Sequence, residues 1–137
     1  TDNLQNNNVE DNSQTFGKYS VHYTAFNSQF VTAEIANLHG LVRAKDQALI
    51  NISVLDNNTG KTVSAKIAGT AKNLIQQSKT IDFKTIDEPG AIYYIGALRH
   101  SNEEIFHFSI DVEINGTTQN VKFIRKLYTE SWTPPLF

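Results

Sequence analysis

The sequence predicts an all-β fold, an immunoglobulin-like antiparallel β-sandwich of about seven strands with one short helix after the first strand. Three observations predict it. Apolar and polar residues alternate with a period of two along most of the chain, as they do where one strand face is buried and the other is wet. Turn-forming clusters recur between these runs, at Asp56-Asn57-Asn58-Thr59-Gly60, Asp87-Glu88-Pro89-Gly90 and Asn115-Gly116. Only Phe30 to Leu41 follows a helical rhythm. An open barrel is the alternative arrangement of the same strands. At 137 residues the chain is long enough for one domain with its own core and too short for two ordinary ones.

Residues 1–15 hold only Leu4 and Val9 as apolar side chains, too few to offset the entropy of ordering them. They are expected to form a flexible polar leader ahead of a single domain over residues 16–130. In the first strand Tyr19, Val21 and Tyr23 alternate with Ser20, His22 and Thr24. The helical stretch places Val31, Ile35 and Leu38 four and three residues apart. Thr32 suits its N-cap, Glu34 sits where the helix dipole favours an anion, and His39-Gly40 suits its end. Two turns of helix are marginal alone, so this one must pack on something.

Ile50, Ile52 and Val54, then Val63, Ala65, Ile67 and Ala71, alternate on either side of Asp56–Gly60, and Leu49 to Ala71 reads as a β-hairpin. Ile81 and Phe83 alternate with Asp82 and Lys84 in another strand. Ala91 to Leu98 is apolar on both faces, which suggests a central strand. Phe106, Phe108, Ile110, Val112 and Ile114 share one face and His107, Ser109, Asp111 and Glu113 the other. Asn115-Gly116 is a type I′ signal, and Val121, Phe123, Arg125 and Leu127 return as the partner strand. Pro134-Pro135 ends pairing and leaves 131–137 as a C-terminal tail.

Composition narrows the function. A net charge of −2 offers no electrostatic drive toward nucleic acid or an anionic membrane. No apolar run approaches the roughly twenty residues of a membrane-spanning helix. The absence of cysteine rules out disulfides, thiolate chemistry and cysteine-ligated zinc. There is no methionine either, and the chain stays polar from Thr1 to Thr15. A secreted protein looks like this once its signal peptide is removed, a truncated chain being the alternative.

No catalytic constellation stands out. His22, His39, His100 and His107 fall on a strand, a helix end, a turn and another strand, without metal-ligand spacing. His22 and His107 would meet on a polar face only if their strands are neighbours, and with Asp111 they are the nearest approach to an enzyme site. Glu103-Glu104 and Asp87-Glu88 lie in turns. Lys122 to Tyr128 interleaves basic and aromatic residues, but on both faces of a strand, as edge-strand lysines that discourage aggregation do. No cofactor, metal or catalytic residue is expected.

What stands apart is Tyr19 to Arg43, which is polar and aromatic and breaks the sandwich pattern, as functional segments often do. Tyr19-Ser-Val-His-Tyr-Thr-Ala-Phe-Asn-Ser28, Phe30, Gly40-Leu-Val-Arg43, the strand Asn51-Ile-Ser-Val-Leu55, Ala71-Lys-Asn-Leu74, Ala91-Ile-Tyr-Tyr-Ile95 and Lys126-Leu-Tyr128 carry a resemblance. Over roughly Phe16 to Tyr128 the chain resembles a family of small exported proteobacterial proteins known only as domain of unknown function 4426. The family pattern has a proline near Ala33, and alanine there is compatible with a helix start. The resemblance implies a signal peptide upstream and a periplasmic home, and supplies no activity.

The sequence thus points to a periplasmic, non-catalytic binding or protein-interaction module. Its expected surface is His22, Tyr23, Asn27, Ser28 and Arg43, with Asn27 and Ser28 for polar contacts, Arg43 for a carboxylate and the aromatics for area. The expected partner is another envelope protein. The alternative is a small molecule or envelope polymer held between helix and sheet by Phe26, Phe30 and nearby tyrosines. Homodimerisation by strand pairing stays open.

Overall fold

The period-two alternation becomes two antiparallel sheets in the computed structural model, which describes residues 12–129. In chain order the strands are β1 (Ser13–Phe16), β2 (Tyr19–Asn27), β3 (Gln47–Asp56), β4 (Lys61–Thr62), β5 (Lys66–Asn73) and β6 (Ser78–Ile81). They continue as β7 (Phe83–Glu88), β8 (Ala91–Arg99), β9 (Glu104–Ile114) and β10 (Thr117–Leu127), and the helix α1 (Ala33–His39) lies between β2 and β3. The first sheet has the order β1-β2-β3-β8-β7, with β4 on the end of β3; the second has the order β10-β9-β5-β6. This is the expected sandwich, with ten strands among the described residues where about seven were expected, and its short helix after β2, the strand read as the first. No helix among the described residues is long and apolar enough to cross a membrane.

The core lies between the sheets. Val21, Tyr23, Ile50, Ile52 and Val54 from the first face Phe106, Phe108, Ile110, Val112, Val121 and Phe123 from the second. The Phe123 ring is central: it stacks on Tyr23 at 4.2 Å and on Phe108 at 4.8 Å. The β9–β10 turn is of the expected type, with Asn115 and Gly116 both at positive φ, 53° and 81°.

Three readings of the sequence change. Leu49 to Ala71 is not a hairpin beyond the pairs Leu55 with Thr62 and Asp56 with Lys61. Residues 63–65 cross to the other sheet, where β5 pairs with β9 and β6. Alternation reports a buried face and a wet one, and in a sandwich both sheets present such faces, so the pattern does not say which sheet a strand joins. The crossover is pinned by Ala65 N donating to Tyr94 Oη at 2.8 Å and Val63 N to Val54 O at 2.9 Å.

The strand expected over Ile81 to Lys84 is likewise two strands, divided at Asp82, where the chain passes from the second sheet back to the first. Phe83 fills this corner. It lies against Gly69 in one sheet and Gly96 in the other, where an added Cβ would collide with Ile110 or Ile81 and crowd the Phe83 ring. Both glycines let the sheets converge. At the N-terminal end, residues 13–15, grouped by composition with the leader, form β1 on β2. The rest of the leader, 1–11, and the tail 131–137 lie outside the described residues.

Candidate functional site

Segment 27–45 is built by local polar bonds. Asn27 Oδ1 accepts from Gln29 N at 2.8 Å, closing a 3-10 turn over Ser28–Phe30. Ser28, fully buried, donates through Oγ to Ala44 O at 2.8 Å and accepts from Ala44 N at 2.9 Å. Arg43 Nη2 donates to Gln29 O at 3.3 Å, and Asn27 Nδ2 to Lys45 O at 3.0 Å. Together these bonds staple the start of the excursion to its end. The helix between them is capped as its residues require: Thr32 Oγ1 accepts from Ile35 N, and Gly40 closes it in the left-handed conformation at φ 66°.

The five residues expected to form one surface are therefore divided. Tyr23 is 2 % exposed and belongs to the core, because it follows Val21 on the inward face of β2. Ser28 is buried in the staple, and Asn27 and Arg43 spend hydrogen bonds on it. His22 is exposed on the outer face of the first sheet, opposite Ser13 and Ser53. His107 and Asp111 stand on the outer face of the second sheet, so the three groups of the enzyme reading lie on opposite sides of the sandwich. Among the described residues no group of three or more His, Cys, Asp or Glu is placed to hold a metal ion.

What the segment does expose is apolar. Phe30 is 67 % exposed and Leu38 72 %, with Ile35 and Val42 also exposed. The helix rests on the outer face of the first sheet, where Lys84 Nζ of β7 donates to Gly40 O at 3.0 Å and His39 Nε2 lies 3.5 Å from Glu88 Oε2. Ala36 is its buried residue, and Leu49 and Ile86 are buried outside the main core. The side turned to the sheet thus carries the small residue, and Ile35 and Leu38 turn outward. An aromatic pocket between helix and sheet does not form around Phe30, whose ring is in solvent.

A second concavity lies on the other sheet. A groove of about 850 Å³ is lined by Thr70 and Lys72 of β5, His107 and Ser109 of β9, and Lys122 and Arg125 of β10, and it reaches Gln14 of β1 and Tyr23 of β2 at the β10 edge. The sequence does not announce it, because Lys72 and His107 are 35 positions apart and only the pairing of β5 with β9 sets them side by side.

At the end of the sandwich Asn73 and Glu104 tie two loops together. Asn73 Nδ2 donates to Glu104 Oε2 at 2.9 Å and Ser101 N to Glu104 Oε1 at 2.8 Å. Burial works to raise the Glu104 pKa, but these two bonds and the charges of Lys79 and His100 outweigh it and hold the carboxyl below its ordinary value. The arrangement is a loop clamp.

The chain matches a known family model. The model described as Domain of unknown function (DUF4426) matches residues 13–130, from the first residue of β1 onward. The chain belongs to this family. The resemblance seen in the sequence is thereby established. A crystal structure of a DUF4426 family protein from Pseudomonas aeruginosa PAO1 is 35% identical, with a TM-score of 0.78, and the match covers 87% of this chain and 95% of that one. A copper-bound variant of FetP from uropathogenic Escherichia coli strain F11 is similar in fold alone: 12% identity and a TM-score of 0.57, over 84% of this chain and 93% of that one. No functionally curated protein matches the chain.

Proposed function

We propose that this DUF4426 protein is a non-catalytic protein-interaction module of the periplasm, and that it meets another envelope protein through the shoulder formed by Phe30, Ile35, Leu38 and Val42. The observation that carries this reading is the outward apolar side of α1 and its flanks, displayed on a segment held rigid by the Ser28–Ala44 staple. Exposed apolar side chains gathered on one ordered segment are a common mark of an interaction site. Rigid presentation lowers the ordering entropy that association would otherwise cost. Asn27, Ser28 and Arg43 then act as the frame of the surface. The periplasmic placement rests on the resemblance to exported proteobacterial proteins.

A photoreactive residue at position 38 tests the reading, with Lys61, exposed at the start of β4, as the control position. Crosslinking in intact cells, followed by fractionation and mass spectrometry, is expected to give one discrete periplasmic adduct at 38 and none at 61. Changing Phe30 to Asp in the same protein should abolish it. No adduct at 38, or one that survives Phe30→Asp, would discard the shoulder as the partner surface.

A further inference from the structure

The groove on the second sheet has a charge opposite to that of the whole chain. The protein carries a net charge of −2, yet the charged residues lining the groove are Lys72, Lys122 and Arg125, and no aspartate or glutamate lines it. The strand register explains the clustering. Lys72, His107 and Ile124 stand side by side across β5, β9 and β10, and Thr70, Ser109 and Lys122 form the adjacent row. All but the half-buried Ser109 are exposed. The ammonium groups of Lys72 and Lys122 have no ion-pair or hydrogen-bond partner among the described residues.

The carboxylates of the same face do not pair with Lys72 or Lys122. Asp111 is one row further along β9 and accepts from Asn120 Nδ2 at 2.9 Å, and Glu113 lies beyond it, opposite Lys66. Arg125 reaches the groove from the other face of β10, its guanidinium carbon 5.3 Å from the Phe123 ring centre and 5.7 Å from that of Tyr23. Packed on two core rings, it is a cation of restricted freedom. Thr70 and Ser109 add hydroxyl donors between the lysines. Lys72 and Lys122 stand two strands and one row apart, roughly 12 Å at the backbone, a separation suited to a ligand with two acidic groups.

We propose that this groove binds a multiply charged oxyanion, a ligand carrying two or more phosphate or carboxylate groups, with Lys72 and Lys122 as its anchoring charges. The site lies over the outer face of the second sheet and its β10 edge, and none of Phe30, Ile35, Leu38 and Val42 lines it, so it is separate from the interaction shoulder. Exposed charges act over a Debye length of about 8–10 Å near physiological salt, and binding should therefore weaken as salt rises.

The test uses two probes, tripolyphosphate and citrate, titrated into the isotope-labelled chain while backbone amide resonances are followed. The expected result is saturable shifts at Thr70, Lys72, His107, Ser109 and Lys122 with at least one probe. The affinity should fall by about tenfold or more in the Lys72→Gln/Lys122→Gln double variant, with the Lys61→Gln control unchanged. Binding of tripolyphosphate alone assigns a phosphate ligand, of citrate alone a carboxylate ligand, and of both a site that reads charge. Failure of both probes to bind would overturn the proposal. So would undiminished binding by the double variant, whose unchanged resonances elsewhere would show that it is folded.

Discussion

The β9–β10 hairpin and the excursion from Asn27 to Lys45 solve the same problem in opposite ways. Both are amphipathic, and each has a turn or cap chemistry that ends where it should: Asn115-Gly116 in one, Thr32 and Gly40 in the other. In the hairpin every large inward residue from Phe106 to Val112 is buried, and the aromatic stack of Tyr23, Phe123 and Phe108 joins it to the facing sheet. In the excursion the order is reversed. Ala36 is buried while Phe30, Ile35 and Leu38 face water, and the segment is held by polar bonds at its base. Stability resides in one region and apolar display in the other. A two-turn helix with only its small residue buried gains little from hydrophobic contact, so its caps and the Ser28 staple must supply the order.

That division can be broken deliberately. Replacing Tyr23 by alanine removes a ring from the stack and leaves a cavity between the sheets, and should cost about 3–5 kcal/mol in urea unfolding. If Tyr23 were a contact residue, its loss would weaken partner capture and leave stability alone. Ser28→Ala is expected to cost about 1–3 kcal/mol, because it strands the Ala44 amide and leaves the Ala44 carbonyl only the Gln47 N–H as partner. Amide exchange should accelerate over residues 28–44 and hardly change in β9 and β10, which separates local loosening from global loss. Leu38→Ser sharpens the contrast from the other side. With the side chain 72 % exposed, stability should move by no more than about 0.5 kcal/mol, while the adduct formed from a photoreactive residue at position 35 should disappear. A larger stability loss would mean that the shoulder is packed in solution.

Much of this molecule was legible before its structure. Thr32, Glu34 and Gly40 mark the helix because capping is chemistry between residues three or four apart. The two faces of β9 and β10 follow from alternation alone. The candidate surface was less legible. Tyr23 reads as polar-aromatic in a strand that also carries His22, and only its inward alternation with Val21 hints that it is core. Ser28 reads as a contact residue, but its partner Ala44 is sixteen positions away. Lys72 and Lys122 are ordinary exposed lysines until β5 is known to lie against β9.

By itself, then, the sequence determined what is set within a few residues: the strands' wet and dry faces, the helix and both its caps, the type I′ turn at Asn115-Gly116, and the family to which the chain belongs. The tertiary structure alone decided that β5 leaves β3 for the second sheet, that the chain changes sheets again at Asp82, and that α1 turns its large apolar residues outward. The reason is physical. A periodic pattern records that a face prefers to leave water, and it carries no information about which of several equally apolar surfaces will receive it; that choice is made by packing volume at sites such as Gly69, Gly96 and Phe83, far apart in the chain.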